Sequence, residues 1–161
     1  MYGLAMVFSE VIPSTEELNT FYSQYGASGT PYFSPITAKR YRELLDEFEE
    51  HTGKGHIHDA GCGFGFFLAT AVAEGWEASG SELSERAVKS CLENGLKVTQ
   101  GENIEGEDYD VITSFEVIEH LRHPQDYLKM ISESLKSGGL VYITTPNFNG
   151  VSRFLLGANY N

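Results

Sequence analysis

The clearest chemical signal in the sequence is a glycine-rich segment, DAGCGFG, at residues 59–65. Gly61, Gly63 and Gly65 alternate within it, after an apolar run typical of a strand and before one typical of a helix. Glycine lets the chain turn tightly and lets its backbone approach a ligand closely. Taken alone, the pattern also fits a plain tight turn that binds nothing.

An acid, Glu82, ends the next predicted strand and lies 21 residues after Gly61. At that place it can accept hydrogen bonds from the two hydroxyls of a ribose, because ligands of open parallel sheets bind at the carboxyl ends of the strands. Turn and acid together indicate one nucleoside-binding site. A dinucleotide fingerprint requires a small residue at position 66, where the sequence has Phe66. A nicotinamide dinucleotide therefore stays a minor alternative.

Alternating strand and helix patterns must position these residues. We predict strands at 56–60, 76–82, 97–101, 109–115 and 140–145, and helices at 64–74, 84–94 and 124–136. Two earlier helices are predicted, one over 14–25 with Ser14 and Glu17 as a capping box and one beginning at Ser34. This order predicts an α/β fold, a doubly wound parallel sheet with right-handed crossovers. We divide the chain into an N-terminal helical segment (1–53), a core (54–146) and a C-terminal tail (147–161).

The composition argues against several classes of protein. With 11 basic and 23 acidic residues the net charge is −12, which weighs against a nucleic-acid-binding protein. No apolar run reaches the ~18 residues of a membrane span. The two cysteines, Cys62 and Cys91, form no metal-binding pair in the sequence and indicate a reduced, cytoplasmic protein.

Four motifs occur in the order found in class I S-adenosylmethionine-dependent methyltransferases, and the resemblance covers about residues 54–146. They are DAGCGFG at 59–65, GSELS at 80–84, YDVITSFEVIEHL at 109–121 and LKSGGLVYITTPN at 135–147. Within that class the chain is most similar to the subgroup of the ubiquinone-biosynthesis O-methyltransferases, which carry the same Glu-Val-x-Glu-His run. The resemblance implies a Rossmann-like sheet in the order 3-2-1-4-5. It also implies S-adenosyl-L-methionine as the cofactor and S-adenosyl-L-homocysteine as its product.

The class continues after its fifth strand with a helix and an antiparallel hairpin of two strands. This sequence ends at Asn161, 16 residues past Thr145, so we expect a truncated core that lacks those strands. An unpaired fifth strand invites either a homodimer through the exposed sheet edge or covering by the apolar tail.

The resemblance further implies which residues bind the cofactor. The backbone of the three turn glycines would face its methionine end, Asp59 would order the turn, and Glu82 would hold the ribose hydroxyls. Glu102 and its neighbour Asn103 would lie beside the adenine. The full predicted set is Asp59, Gly61, Cys62, Gly63, Gly65, Glu82, Leu83, Glu102, Asn103, Ser114, Phe115 and Glu116.

Glu116, Glu119 and His120 form a cluster of titratable residues. On one helical turn, positions i, i+3 and i+4 share a face, so these side chains are weak candidates for binding a divalent metal ion. We favour the alternative in which Glu116 and His120 line the substrate mouth without a metal. His120 is then the candidate catalytic base, because imidazole titrates near neutral pH.

The leading hypothesis for the function is in-line methyl transfer from the cofactor to a small-molecule acceptor, most simply an O-methylation. Because an activated methyl group needs mainly alignment and exclusion of water, no fixed catalytic triad is required. The alternative is a cofactor-binding module without activity of its own, since the parts that shape an acceptor site are missing. A NAD-dependent enzyme is the minor alternative.

Overall fold

The computed structural model of the protein describes Ser14, Glu17 and residues 33–147. The helices of this part are α1 (Pro35–Thr52), α2 (Phe66–Ala73), α3 (Glu85–Glu93) and α4 (Pro124–Ser134). The strands are β1 (His56–Ala60), β2 (Glu77–Glu82), β3 (Lys97–Gln100), β4 (Tyr109–Phe115) and β5 (Leu135–Thr144). A short 3-10 helix, Ile118–His120, separates β4 from α4. Within this part of the chain, no helix combines the length and apolar character that a membrane crossing requires.

All five strands run parallel, in the order β3-β2-β1-β4-β5. This confirms the α/β fold and the strand order expected from the sequence. The chain winds outward in one direction from β1 to β3 and in the other from β4 to β5. The carboxyl ends of β1 and β4 therefore flank the crevice in which such sheets bind ligands.

Two apolar clusters cover the two faces of the sheet. One cluster joins α1, α2 and α3 to the sheet, and Leu45, Leu68 and Val111 are fully buried in it. The other joins α4 to β4, where Ile112 and Ile131 are buried together. Because side chains alternate along a strand, the neighbours Val111 and Ile112 point to opposite faces.

The helix start expected at Ser34 is confirmed. Ser34 Oγ accepts the backbone N–H of Thr37 at 3.0 Å, and Pro35 occupies the first turn of α1. Of the earlier predicted helix only two residues are described, and they form the expected capping box. Ser14 N–H donates to Glu17 Oε2 at 2.7 Å, and Glu17 N–H donates to Ser14 Oγ at 3.2 Å. The rest of that helix and the tail from position 148 lie outside the described residues.

The boundary between α4 and β5 differs from the sequence prediction. We expected the helix to run to position 136 and the strand to begin at 140, but the helix ends at Ser134 and the strand begins at Leu135. β5 pairs with β4 at Leu135 and again from Leu140, and the ladder is irregular between these two points. Gly138, with φ of +83°, turns the chain there. Gly138 and its neighbour Gly139 therefore mark a bulge inside a strand, not the end of a helix.

The crossover from β3 to β4 contains no helix. Residues 101–108 form a loop that connects the outer strand β3 to β4 in the interior of the sheet. Ile104 anchors this loop, because it is buried in the same cluster as Ile112 and Ile131. Glu102 and Asn103 consequently follow the carboxyl end of β3, on the edge of the sheet where the crevice lies.

Candidate functional site

The glycine turn after β1 closes tightly against the end of β2. The backbone N–H groups of Gly61 and Cys62 both donate to the carbonyl oxygen of Ser81, at 2.8 and 3.0 Å. Gly63 and Gly65 adopt left-handed conformations, with φ of +52° and +75°. Other residues adopt such conformations only at a cost of roughly 1–2 kcal/mol. The turn itself therefore favours glycine at these positions.

The two left-handed glycines face different surroundings. A Cβ atom at Gly63 would meet no atom within 4 Å, so this glycine faces open space. A Cβ atom at Gly65 would lie 2.5 Å from Leu96 Cδ1 and 2.8 Å from Cys91 Sγ. The absence of a side chain at Gly65 therefore lets the turn pack closely on Cys91 of α3 and on Leu96.

The carboxylate of Glu82 binds the turn directly. Its Oε2 accepts the N–H of Gly63 at 2.9 Å, and its Oε1 accepts the N–H of Ser84 at 2.8 Å. The second contact lies at the start of α3, where the helix dipole favours a negative charge. Sequence analysis missed this role, because only the folded turn brings Gly63 to the end of β2. Each carboxylate oxygen retains a lone pair that can accept from a ligand hydroxyl.

A cavity of about 750 Å³ opens beside the turn, within the range of roughly 300–1,000 Å³ that is typical of ligand sites. Nine of the predicted residues line it: Gly61, Gly63, Glu82, Leu83, Glu102, Asn103, Phe115, Glu116 and His120. Four others are buried behind this lining, namely Asp59, Cys62, Gly65 and Ser114. Glu119 lies outside the lining. The fold thus brings most of the predicted residues to one cavity at the carboxyl ends of β1, β2 and β4.

Two of the residues behind the lining link β4 to its neighbours. Asp59, at the end of β1, is buried, and its Oδ1 accepts a hydrogen bond from Thr113 Oγ1 at 2.8 Å. Burial raises the pKa of Asp59 to about 7, although the bond from Thr113 acts in the opposite direction. Ser114 Oγ lies 2.9 Å from the Tyr127 hydroxyl and so connects β4 to α4. Both side chains stabilise the floor of the crevice.

His58 is a second buried titratable group on β1. Its Nδ1 lies 2.9 Å from Ser79 Oγ, and its Nε2 lies 3.3 Å from Ser81 Oγ, both on β2. Burial lowers the pKa of His58 to about 4, so the imidazole is neutral at neutral pH. Because both ring nitrogens have partners, His58 is a satisfied strand residue.

The two buried groups should oppose each other in the pH dependence of stability. Between about pH 6.5 and 4, His58 is protonated in the unfolded chain but neutral in the folded protein. This group therefore lowers stability as the pH falls. Between about pH 4 and 7, Asp59 is protonated in the folded protein but ionised in the unfolded chain. This group therefore raises stability as the pH falls. Between pH 7 and 4 we expect Asp59→Asn to lose about 2–3 kcal/mol more stability than the parent, and His58→Gln to lose less than the parent.

Urea unfolding of the parent and both variants at several pH values measures these differences. Comparison with the parent removes the contribution of the other acidic groups, which all three proteins share. A pH dependence in Asp59→Asn identical to that of the parent would contradict the raised pKa of Asp59.

The segment after β4 places Glu116 at the cavity in a left-handed conformation, with φ of +55°. This conformation is uncommon for a residue with a long side chain and often marks functional turns. The 3-10 helix that follows begins only at Ile118, so Glu116, Glu119 and His120 do not share one helical face. In the part of the chain that the structure describes, no group of three or more His, Cys, Asp or Glu side chains is placed to hold a metal ion.

The cavity has a further wall that sequence analysis missed. It is formed on α4 and the segment before it, by Arg122, His123, Asp126, Tyr127 and Met130. This wall lies on and just before the helix that we predicted at 124–136. The local sequence did not show which of its residues reach the cavity, because that depends on contacts such as the one between Tyr127 and Ser114.

Comparison with known proteins identifies the family. Residues 35–156 match a family described as a methyltransferase domain. The chain is 29% identical over 140 residues to a ubiquinone biosynthesis O-methyltransferase of Nitrosomonas europaea, a match that covers 79% of this chain and 58% of that protein. The protein of the same name from Thiobacillus denitrificans is 34% identical over 118 residues, with coverage of 65% and 50%. The chain thus spans about half the length of the curated relatives it matches.

Solved structures share the fold. A SAM dependent methyltransferase from Archaeoglobus fulgidus has a TM-score of 0.64 at 24% identity, covering 74% of this chain and 56% of that one. CalS10, a SAM-bound amino pentose methyltransferase from Micromonospora echinaspora, has a TM-score of 0.63 at 19% identity, with coverage of 76% and 60%. At these identities the likeness concerns the fold, whereas the family match extends over most of the chain. The chain therefore belongs to the methyltransferase domain family.

Proposed function

We propose that this chain binds S-adenosyl-L-methionine and acts in the O-methylation of a small-molecule acceptor. The observation that carries the proposal is the meeting of Gly63 and Glu82 in one cavity at the carboxyl ends of parallel strands. The names of the curated relatives, ubiquinone biosynthesis O-methyltransferases, support the O-methylation. The SAM-bound structure of CalS10 supports the cofactor.

The residues of the cavity fit this cofactor. The open side of Gly63 is a space that a Cβ atom would fill, which suits the close approach of the methionine end. Glu82 retains acceptor capacity for the ribose hydroxyls, and Glu102 with Asn103 would lie beside the adenine. The remaining lining residues of the predicted set would complete the site: Gly61, Leu83, Phe115 and Glu116. Residues behind the lining would act by holding the turn and β4 in place, namely Asp59, Cys62, Gly65 and Ser114.

When bound, S-adenosylmethionine would supply an electrophilic methyl group on its sulfonium. The chain's own residues then have to orient an acceptor hydroxyl and exclude water. His120 lines the cavity and is exposed, so it can meet an acceptor that enters from solvent. We assign it the role of the base that receives the acceptor proton. Turnover by a His120→Ala variant equal to that of the parent would remove it from this role.

Isothermal titration of the full chain with S-adenosylhomocysteine and, separately, with NAD tests the proposal. We expect heat of binding with S-adenosylhomocysteine and none with NAD, because Phe66 occupies the small-residue position of a dinucleotide fingerprint. The reverse result would replace the methyltransferase function by the nicotinamide alternative.

A second candidate function is a cofactor-binding module without activity of its own. The family match is to a methyltransferase domain, and both candidate functions require the cofactor site of such a domain. A panel of hydroxylated small molecules incubated with methyl-labelled cofactor distinguishes the two. Methyl transfer to any of them supports the enzyme, and cofactor binding with no transfer supports the module.

Two further properties belong to the proposal. Both described cysteines are free thiols, the state that a reducing, cytoplasmic compartment maintains.

Among the described strands β5 has a neighbour on one side only, and we propose homodimerisation through its outer edge. A monomer in analytical ultracentrifugation would contradict the dimer.

A further inference from the structure

The peptide groups on both sides of the Gly63 Cα are held by side chains. The Gly63 N–H donates to Glu82 Oε2 at 2.9 Å. The Gly63 carbonyl oxygen accepts from Cys91 Sγ at 3.4 Å and from Cys62 Sγ at 3.9 Å. A thiol is a weak donor, and Cys91 is the nearer of the two to this carbonyl. The glycine that faces open space is thus fixed at both its N–H and its carbonyl.

Cys91 reaches this carbonyl from the core of the protein. It lies on α3, is fully buried and is not among the residues that line the cavity. The Gly63 carbonyl therefore points into the core and away from the cavity. Gly65 makes room for this contact, because a Cβ atom there would lie 2.8 Å from Cys91 Sγ. Glycine at position 65 therefore allows Cys91 to approach the turn.

The Cys62 thiol is also in hydrogen-bond contact with Cys91 as its donor. The hydrogen bond with Cys91, together with burial, raises the pKa of Cys62. The nearby carboxyl groups of Asp59 and Glu82 act in the same direction. The same contact lowers the pKa of Cys91, because the Cys62 thiol is the donor in it. The proton of Cys91 is then the one directed to the Gly63 carbonyl.

We propose that Cys91 is a positioning residue for the cofactor and acts through the Gly63 carbonyl. The inference rests on the proposed function of the cavity. Without the Cys91 donor, the carbonyl loses its closest partner in the core and is freer to rotate toward the cavity. Cofactor affinity should therefore depend on a donor at position 91 and not only on the volume that its side chain fills.

Three variants of the full chain separate these contributions by titration with S-adenosylhomocysteine and by thermal melting. Cys91→Ala removes the donor and should weaken binding about three- to tenfold, as expected for one hydrogen bond. Cys91→Ser restores a donor and should bind within about twofold of the parent. Val88→Ala is the matched control, because Val88 is also buried on α3, with 7% exposure. It should lower the melting temperature at least as much as Cys91→Ala does, but bind like the parent.

The outcomes distinguish this inference from the function on which it rests. Parent-like affinity in Cys91→Ala, or equal losses in the Ala and Ser variants, would overturn the positioning role and leave the proposed function intact. If Cys91→Ala does not fold, Cys91→Val fills the same space without a donor and takes its place. Failure of the parent to bind S-adenosylhomocysteine would overturn the proposed function and this inference together.

Discussion

Alanine at Gly63 is expected to abolish detectable binding of S-adenosylhomocysteine while the protein stays folded. The added Cβ atom would project into the open space at the cavity wall, where we place the methionine end of the cofactor. The left-handed φ of +52° adds strain of roughly 1 kcal/mol for a residue with a Cβ atom. In a domain of this size that strain lowers the melting temperature by about 2–4 °C. Isothermal titration and thermal melting measure the two effects separately.

Gly95→Ala provides the matched control. Gly95 follows α3 with φ of +76°, and a Cβ atom there would also meet no atom within 4 Å. The strain is comparable, but Gly95 is not part of the cavity lining. We expect a similar loss in melting temperature with unchanged affinity. Parent-like binding by Gly63→Ala would show that the cofactor does not approach this turn.

Removal of the Glu82 carboxylate is expected to weaken S-adenosylhomocysteine binding at least about hundredfold and to destabilise the fold as well. Two charge-assisted hydrogen bonds to the ribose hydroxyls, each worth roughly 1.5–3 kcal/mol, account for the loss of affinity. In Glu82→Ala the N–H groups of Gly63 and Ser84 also lose their acceptor. We therefore expect unfolding in urea to show a loss of about 2 kcal/mol.

Two variants give this result its controls. Glu85→Ala removes the same charge from an exposed position in the first turn of α3, and we expect nearly parental affinity and stability. Glu82→Gln keeps one acceptor oxygen and should fall between the parent and Glu82→Ala. An unchanged affinity in Glu82→Ala would mean that the ribose is held elsewhere.

Most of the fold could be predicted because local sequence signals mark where its helices and strands begin and end. Gly75 and Gly95 directly follow the predicted helices 64–74 and 84–94, and their φ angles of +88° and +76° are those of left-handed helix ends. The end of α4 could not be predicted in this way. Leu135 continues the helical pattern of its neighbours, yet it pairs with Tyr109 of β4. That pairing is a tertiary contact which outweighs local propensity.

The candidate site was predictable where residue type alone indicates the chemistry, as at Gly63 and Glu82. It was not predictable where two distant residues have to meet. Cys91 lies 28 residues from Gly63, and no local pattern indicates their contact. Phe66 shows the same limit, because its ring stacks on Phe33 with centroids 4.8 Å apart. The spacing of the residues in the glycine turn does not predict that Phe66 contacts Phe33.

The crevice between β1 and β4 also has a consequence for the order of folding. Ile57 pairs with Val111 across this junction, 54 residues away, but with Ala78 of β2 only 21 residues away. Closing the longer segment costs more chain entropy, so we expect the β1–β2–β3 and β4–β5 halves to form before they join. Glu82 belongs to the first half and Phe115 to the second. A ligand that touches both therefore binds only the joined sheet, and by mass action it stabilises the junction that forms last.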